Sequence, residues 1–197
     1  MAFTYRMGRA TVSNIVENVC DAIWKNLQPI VMPEPSADIW KASESVFREK
    51  WNFLHCVAAT DGKHVRIKAQ GSQFLNYKKY HSILLLALVD GNKRFLSVGV
   101  GQYGKVSDGN VFMNSSMGKR LASKTFRLPP DEDLGGDLLP YAEDITVADE
   151  AFPLKRFLMR PYPRSARRLS ESERIFNNRL LRSRNTVENA FGILASV

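Results

Sequence analysis

Apolar residues recur at helical spacing near the start of the chain. The members of this stripe are Val12, Ile15 or Val16, Val19, Ile23 and Leu27. Intervals of three and four residues place them on one face, which predicts an amphipathic helix with Thr11 or Ser13 as its cap. Two functions are compatible with this helix: it is the second half of a helix-turn-helix that presents Arg9 and Asn14 to DNA, or it simply packs against another element.

A linker follows this helix. Prolines interrupt the pattern at Pro29, Pro33 and Pro35, and a second short helix is predicted at residues 40–51. We therefore expect a helical, helix-turn-helix-like segment with its linker at residues 1–50, and a catalytic domain at residues 51–197.

The middle of the chain changes to apolar runs of strand length. These runs cover residues 56–61, 80–90 and 95–100. The tripeptide Asp90-Gly91-Asn92 predicts a hairpin turn between the last two. Asp108 begins a predicted helix. Residues 127–144, which are polar and rich in proline, predict a long surface loop, and residues 145–149 predict a return strand.

The order of these elements is β-β-β-α-β-α, which predicts an α/β, RNase H-like domain whose first and fourth strands are neighbours. The last helix carries a stripe that predicts its core face: Phe176, Leu180, Val187 and Phe191. Ser170 and Glu173 are spaced as a capping box at its start.

Acidic residues stand at the ends of two predicted strands and on the last helix. Asp61 closes the first strand, Asp149 closes the fourth, and Glu188 lies at the edge of the helix stripe. Because ligands gather outside the carboxyl ends of strands in open α/β sheets, these three residues could converge on a divalent cation. Ligation by oxygen alone suits Mg²⁺ or Mn²⁺.

The net charge of +8 is concentrated in one stretch. Residues 155–184 contain two acidic and ten basic residues: Lys155, Arg156, Arg160, Arg164, Arg167, Arg168, Arg174, Arg179, Arg182 and Arg184. Arginine favours bidentate contacts to phosphate, so a nucleic-acid substrate is indicated. The alternative is a solvated helix face, since basic runs are often only surface.

Composition excludes several other classes. A content of 44% hydrophobic and 24% charged residues is typical of a globular protein. The longest apolar run, residues 83–89, is far too short to span a membrane, and the N-terminus lacks a secretory signal pattern, so we expect an intracellular protein. Cys20 and Cys56 have no metal-ligand spacing and are expected to be small core residues.

Five motifs carry a family resemblance. They are residues 59–65 (ATDGKHV), 76–80 (NYKKY), 103–109 (YGKVSDG), 148–154 (ADEAFPL) and 185–192 (NTVENAFG). Together and in this order, they resemble the DDE endonuclease domain of PIF/Harbinger transposases and of transposase-derived nucleases.

The resemblance implies a DNA endonuclease or transposase that depends on Mg²⁺ or Mn²⁺. By motif, Asp61, Asp149 and Glu188 take the catalytic triad positions, and Asp108 takes that of a further acidic metal ligand. In such a site Asp61 would bridge two ions about 3.5–4 Å apart, and Asp149 and Glu188 would each complete one. The resemblance also implies a nuclear location, with some protein in the cytoplasm, and a Myb-like DNA-binding partner protein.

Five basic residues are the predicted DNA contacts: Lys78, Lys79, Arg164, Arg167 and Arg168. Tyr77 and Tyr80 interleave with the two lysines, a pattern that fits either a DNA contact or an edge strand. His64, close to Asp61, either touches substrate or is structural.

Each acidic residue taken alone has a simpler explanation. Asp61 with Gly62 could form a turn, Asp108 could be a helix cap, and Glu188 could pair with Arg184 on the surface. The set in this order favours a metal site.

The sequence departs from the family pattern at two points. Ala148 stands where the family has a glycine before the second triad aspartate. The chain also ends at Val197, nine residues after Glu188, where family members continue through more helix, which indicates a truncated or domesticated copy. The alternative function is therefore a non-cleaving DNA- or protein-binding module, although the four intact acids favour the nuclease.

Overall fold

The structure is a computed structural model that describes residues 4, 6–68, 71–103, 106–130, 132–133, 141–142, 145–163 and 168–196. The chain divides into two compact units, Met1–Glu34 and Pro35–Val197. The second predicted helix, α2 (Ala37–Trp51), therefore lies in the same unit as the sheet and not with the N-terminal segment.

The first unit contains the helix α1 (Arg9–Val31). Gly8 occupies the N-cap position and no side chain caps the helix, so the prediction that Thr11 or Ser13 would cap it is wrong. None of the residues of α1 is buried, which leaves its apolar stripe exposed. Among the described residues of this unit α1 is the only helix, and the helix-turn-helix interpretation stays a prediction.

The second unit is built on a five-stranded mixed sheet in the order β3-β2-β1-β6-β7. Its strands are β1 (Cys56–Arg66), β2 (Ser82–Val89), β3 (Phe95–Tyr103), β6 (Ile145–Val147) and β7 (Leu158–Met159). β1 pairs antiparallel with β2 and parallel with β6. The predicted pairing of the first strand with the return strand is thus confirmed.

At the two aspartates, the strand boundaries differ from the prediction. β1 does not end at Asp61 but continues to Arg66, because β2 pairs with it along that whole length. β6 ends at Val147, so Asp149 lies in the loop just beyond the strand. In the predicted surface loop, the described residues include a small ribbon formed by β4 (Glu132–Asp133) and β5 (Tyr141–Ala142).

Helices cover both faces of this sheet. On one face, α3 (Asp108–Asn114) and α4 (Ser116–Ala122) bury Phe112, Met117 and Leu121 against Leu84, Leu86 and Leu88 of β2. On the other face, α5 (Glu171–Ala195) buries Leu180, Val187, Ala190 and Phe191 against Ala59, Ala87, Val89 and Val147. The sheet therefore separates α3 from α5, and this separation decides which acidic residues can meet.

The local signals at α5 are confirmed. Ser170 accepts a hydrogen bond from the Glu173 amide, and the Glu173 side chain accepts one from the Ser170 amide, which completes the capping box. Leu180 and Val187 are fully buried. Within the described part of the chain, every helix is too short or too polar to cross a bilayer.

Candidate active site

Strand register brings Asp61 and Asp149 together. Ala59 of β1 pairs with Val147 of β6 in the parallel ladder, and each aspartate follows its pairing residue by two positions. Because side chains alternate across a sheet, Asp61 shares the face of Ala59, which is the face covered by α5. Its carboxylate Oδ1 accepts a hydrogen bond of 2.8 Å from the Gly62 amide.

The loop after β6 fixes Asp149. Its Oδ1 accepts a hydrogen bond of 2.9 Å from the Ala151 amide. The Arg160 guanidinium donates to the carbonyl oxygens of Glu150 and Phe152, each at 3.2 Å. Because the Ala151 amide bonds to Oδ1, the other carboxylate oxygen of Asp149, Oδ2, can face α5.

Helix α5 places an ion pair beside these two aspartates. Arg184 Nη2 lies 2.6 Å from Oε1 of Glu188, one turn further along the helix, and Nη1 lies 3.9 Å from Oδ2 of Asp149. The Arg184 side chain is 18% exposed, whereas that of Glu188 is 46% exposed. The surface pair considered from the sequence therefore forms, but its arginine is mostly buried and also reaches Asp149 in the loop after β6.

The carboxylates share one electrostatic environment. Burial raises the pKa of Asp61 to about 6, and the charges of Asp149 and Glu188 add to this rise. The hydrogen bond from Gly62 and the charge of Arg184 oppose the rise without cancelling it. Asp61 thus lies close enough to both Asp149 and Glu188 for their charges to raise its pKa.

Asp108 approaches from the opposite face of the sheet. A Cβ added at Gly62 would lie 2.7 Å from both Cγ and Oδ2 of Asp108, so its carboxyl group packs directly over this glycine. Burial raises the pKa of Asp108 to about 6, and the charges of Asp61 and Asp149 contribute. The N-cap position of α3 belongs to Ser107, so the alternative of Asp108 as the helix cap is wrong.

The donor set fits a hard cation in its chemistry, but the side chains are not gathered around one point. All four candidates offer carboxylate oxygens, which Mg²⁺ and Mn²⁺ prefer. The mutual repulsion at Asp61 is what a bound cation would relieve. However, in the described residues no three His, Cys, Asp or Glu side chains are placed to hold one metal ion.

The predicted DNA contacts are only partly described. Arg164 and Arg167 lie outside the described residues, while Arg168 is exposed just before α5. Lys78 and Lys79 are exposed on a turn, and the Lys78 ammonium lies 5.5 Å from the ring centre of Tyr77.

Buried Asn76 holds this turn. Its Oδ1 accepts from the backbone amides of Lys78 and Tyr80, and its Nδ2 donates to Ser82 Oγ at 3.0 Å. His64 Nδ1 lies 2.9 Å from the same hydroxyl. Burial, and then the charge of Lys78, lower the pKa of His64. The contacts of His64 are thus those of a residue that supports the turn.

Sequence reasoning missed two residues at the site. Arg160 holds the loop after β6, and Gly62 leaves the space that Asp108 occupies. The spacing of Arg184 and Glu188 did signal a pair, but the contact between Arg184 and Asp149 depends on how α5 crosses the sheet.

Comparisons with known proteins identify the family of this chain. The family described as a DDE superfamily endonuclease matches residues 60–196. Protein ALP1-like of Arabidopsis thaliana is 28% identical over 187 residues, which are 89% of this chain and 43% of that protein, so the chain spans less than half the length of this relative. No solved structure matches the chain. The resemblance found in the five motifs is confirmed, and the chain belongs to the DDE superfamily endonuclease family.

Proposed function

We propose that this protein is a metal-dependent DNA endonuclease with an RNase H-like catalytic domain. The observation that carries the proposal is that Arg184 contacts both Glu188 and Asp149, while the charges of these two acids both raise the pKa of Asp61. Two adjacent parallel strands and a crossing helix deliver these carboxylates.

The proposed metal ligands are Asp61, Asp149 and Glu188, with Asp108 on the other side of Gly62 as a further, outer ligand. Bound Mg²⁺ or Mn²⁺ would supply activation of the attacking oxygen and stabilisation of the leaving oxygen of a phosphodiester. The chain itself contributes the position of the acids: register fixes Asp61, the hydrogen bond from Ala151 fixes Asp149, and the packing of α5 against the sheet positions the exposed Glu188.

DNA is the proposed substrate. Lys78 and Lys79 stand on a turn that Asn76 holds in place, so their positive charges are presented with little loss of backbone entropy. Arg164, Arg167 and Arg168 are proposed to contact the phosphate backbone from the segment before α5. The nuclear location and the Myb-like partner protein implied by the resemblance are part of the same proposal.

A second candidate function is a non-cleaving DNA- or protein-binding module. The observation in its favour is that the Arg184 guanidinium already pairs with Glu188 and reaches Asp149, an arrangement that could serve structure alone. In this case the basic surface would bind DNA while the acids would bind no metal.

Plasmid cleavage separates the two functions. Supercoiled plasmid is incubated with the protein and Mn²⁺ or Mg²⁺, and nicked and linear products are measured for wild type and Asp149→Asn. The matched control is Glu150→Gln, which removes the neighbouring exposed carboxylate. We expect cleavage by wild type and Glu150→Gln and at least a hundredfold loss in Asp149→Asn. DNA binding without metal-dependent cleavage in all three proteins supports the binding module instead.

A further inference from the structure

One guanidinium lies where a cation would neutralise the carboxylates. Arg184 makes its shortest contact, 2.6 Å, with Glu188 and faces Asp149 at 3.9 Å. Its positive charge also lowers the pKa of Asp61, against the rise caused by burial and by the two other acids. Among the described residues, Arg184 is thus the positive group that acts on all three proposed triad acids.

The hydrogen-bond donors of the Arg184 side chain are not all used in this position. The Nε atom of Arg184 is buried, and within the described part of the chain it has no hydrogen-bond partner. A buried donor without a partner costs free energy, because it has lost its hydrogen bonds to water. The present position of the guanidinium is consequently held by charge and not by a complete hydrogen-bond set.

We propose that Arg184 is the resident counter-ion of the metal-free site, and that cation binding and the Arg184 to Glu188 ion pair exclude each other. This inference rests on the proposed metal-dependent function. An arginine side chain stays protonated in proteins, so it cannot make room for a divalent cation by losing its charge. It must move away from Glu188, and the affinity of the site for metal is lowered by the free energy of that ion pair.

The alternative role for Arg184 is a clamp that holds Glu188 in place for the metal. The two roles predict opposite signs. If Arg184 competes with the cation, removing its charge tightens metal binding. If Arg184 positions Glu188, the same change weakens binding, because the exposed glutamate gains rotational freedom.

The test is calorimetric titration of the full chain with Mn²⁺ in the absence of DNA, so that the readout is affinity and not cleavage. Arg184→Met keeps an apolar stem in the buried position and removes the charge. The matched control is Arg182→Met, which removes the same charge from an exposed position of the same helix. We expect about a tenfold tighter Mn²⁺ dissociation constant for Arg184→Met, within the range typical of coupling between two ligands, and no change for the control.

A second measurement uses the unmodified protein and does not depend on a variant that folds. In nuclear magnetic resonance spectra, addition of diamagnetic Mg²⁺ should shift the Arg184 Nε–H signal and speed its exchange with solvent, since the guanidinium leaves its buried position. The Arg182 signal serves as the internal control.

The outcomes distinguish failure of the proposed function from failure of this inference. Wild-type protein that binds no Mn²⁺ overturns the proposed function and this inference with it. Wild-type protein that binds Mn²⁺, combined with equal or weaker binding by folded Arg184→Met, overturns the inference alone. An Arg184 signal that Mg²⁺ does not move overturns it in the same way.

Discussion

Neutralising Asp61 should stabilise the metal-free protein. Raising the pKa of this buried carboxyl from 3.8 to about 6 corresponds to about 3 kcal/mol of folding free energy lost when it is ionised, since one pKa unit is worth ~1.4 kcal/mol. Asp61→Asn removes the charge but keeps an oxygen that can accept from Gly62. The added amide hydrogens need partners, which offsets about 1 kcal/mol, so we expect a net gain of about 2 kcal/mol.

The pH dependence gives the sign of this effect. Because the pKa of Asp61 is higher in the folded state than in the unfolded chain, the folded state binds the proton more tightly. Its ionisation therefore costs no stability below 3.8, costs progressively more as the pH rises to about 6, and costs the full amount above that value. The advantage of Asp61→Asn should follow the same curve.

Urea denaturation in the presence of a chelator measures this difference. Wild type and Asp61→Asn are compared at about pH 4 and about pH 8, with Glu150→Gln as the control for loss of an exposed carboxylate. At the lower pH the variant should be less stable than wild type by up to about 1 kcal/mol, because its added amide hydrogens cost free energy, whereas at the higher pH it should be about 2 kcal/mol more stable. A variant that is less stable than wild type at both values would refute the reasoning, because Asp61 would then be a net stabilising group.

Three further predictions follow from the same contacts. Gly62→Ala should destabilise the fold by about 1–3 kcal/mol in urea denaturation. The control is Gly192→Ala, whose added Cβ meets nothing within 4 Å and which should stabilise α5 by up to about 1 kcal/mol. Equal effects of the two substitutions would contradict the close packing at Gly62. Lys78→Ala combined with Lys79→Asn, which suits the positive φ of 61° at that position, should lower the slope of log K for DNA against log salt by up to about 2 in a binding titration, since each lost phosphate contact contributes about 0.9. An unchanged slope would show that these lysines do not contact phosphate. Deleting residues 1–34 should leave a cooperative thermal melt and unchanged Mn²⁺ affinity but weaker duplex binding, and loss of the melt would place α1 in the core.

Much of the sheet could be predicted from the sequence because its signals are local. The apolar run of β2 and the turn at Asp90-Gly91-Asn92 each depend on a few consecutive residues. The end of β1 could not be predicted in this way. Its polar second half remains a strand because β2 supplies hydrogen-bond partners as far as Arg66. Pairing between distant segments cannot be recognised from the residues of β1 alone.

The acids were predicted by motif, but their grouping depends on the faces of the sheet. Alternation along β1 puts Asp61 on the side of α5 and Gly62 on the side of α3. Asp108 therefore reaches the site across the strand, while Glu188 reaches it from the helix that lies over Asp61. Which helix covers which face is a matter of tertiary packing, and the motifs of the sequence contain no information on it.

Another buried aspartate of the same chain shows how unusual Asp61 is. Asp90 is 1% exposed, yet its carboxylate accepts from the amides of Asn92 and Arg94 and pairs with the Arg94 guanidinium at 2.7 Å. Among the described residues, Asp61 accepts one hydrogen bond, from Gly62, and the Arg184 charge that acts on it also pairs with Glu188 and faces Asp149. Asp90 has the partners that a structural carboxylate needs, so the chain is able to satisfy such a group. Under the proposed function, a bound cation would supply the positive partner that Asp61 lacks among the described residues.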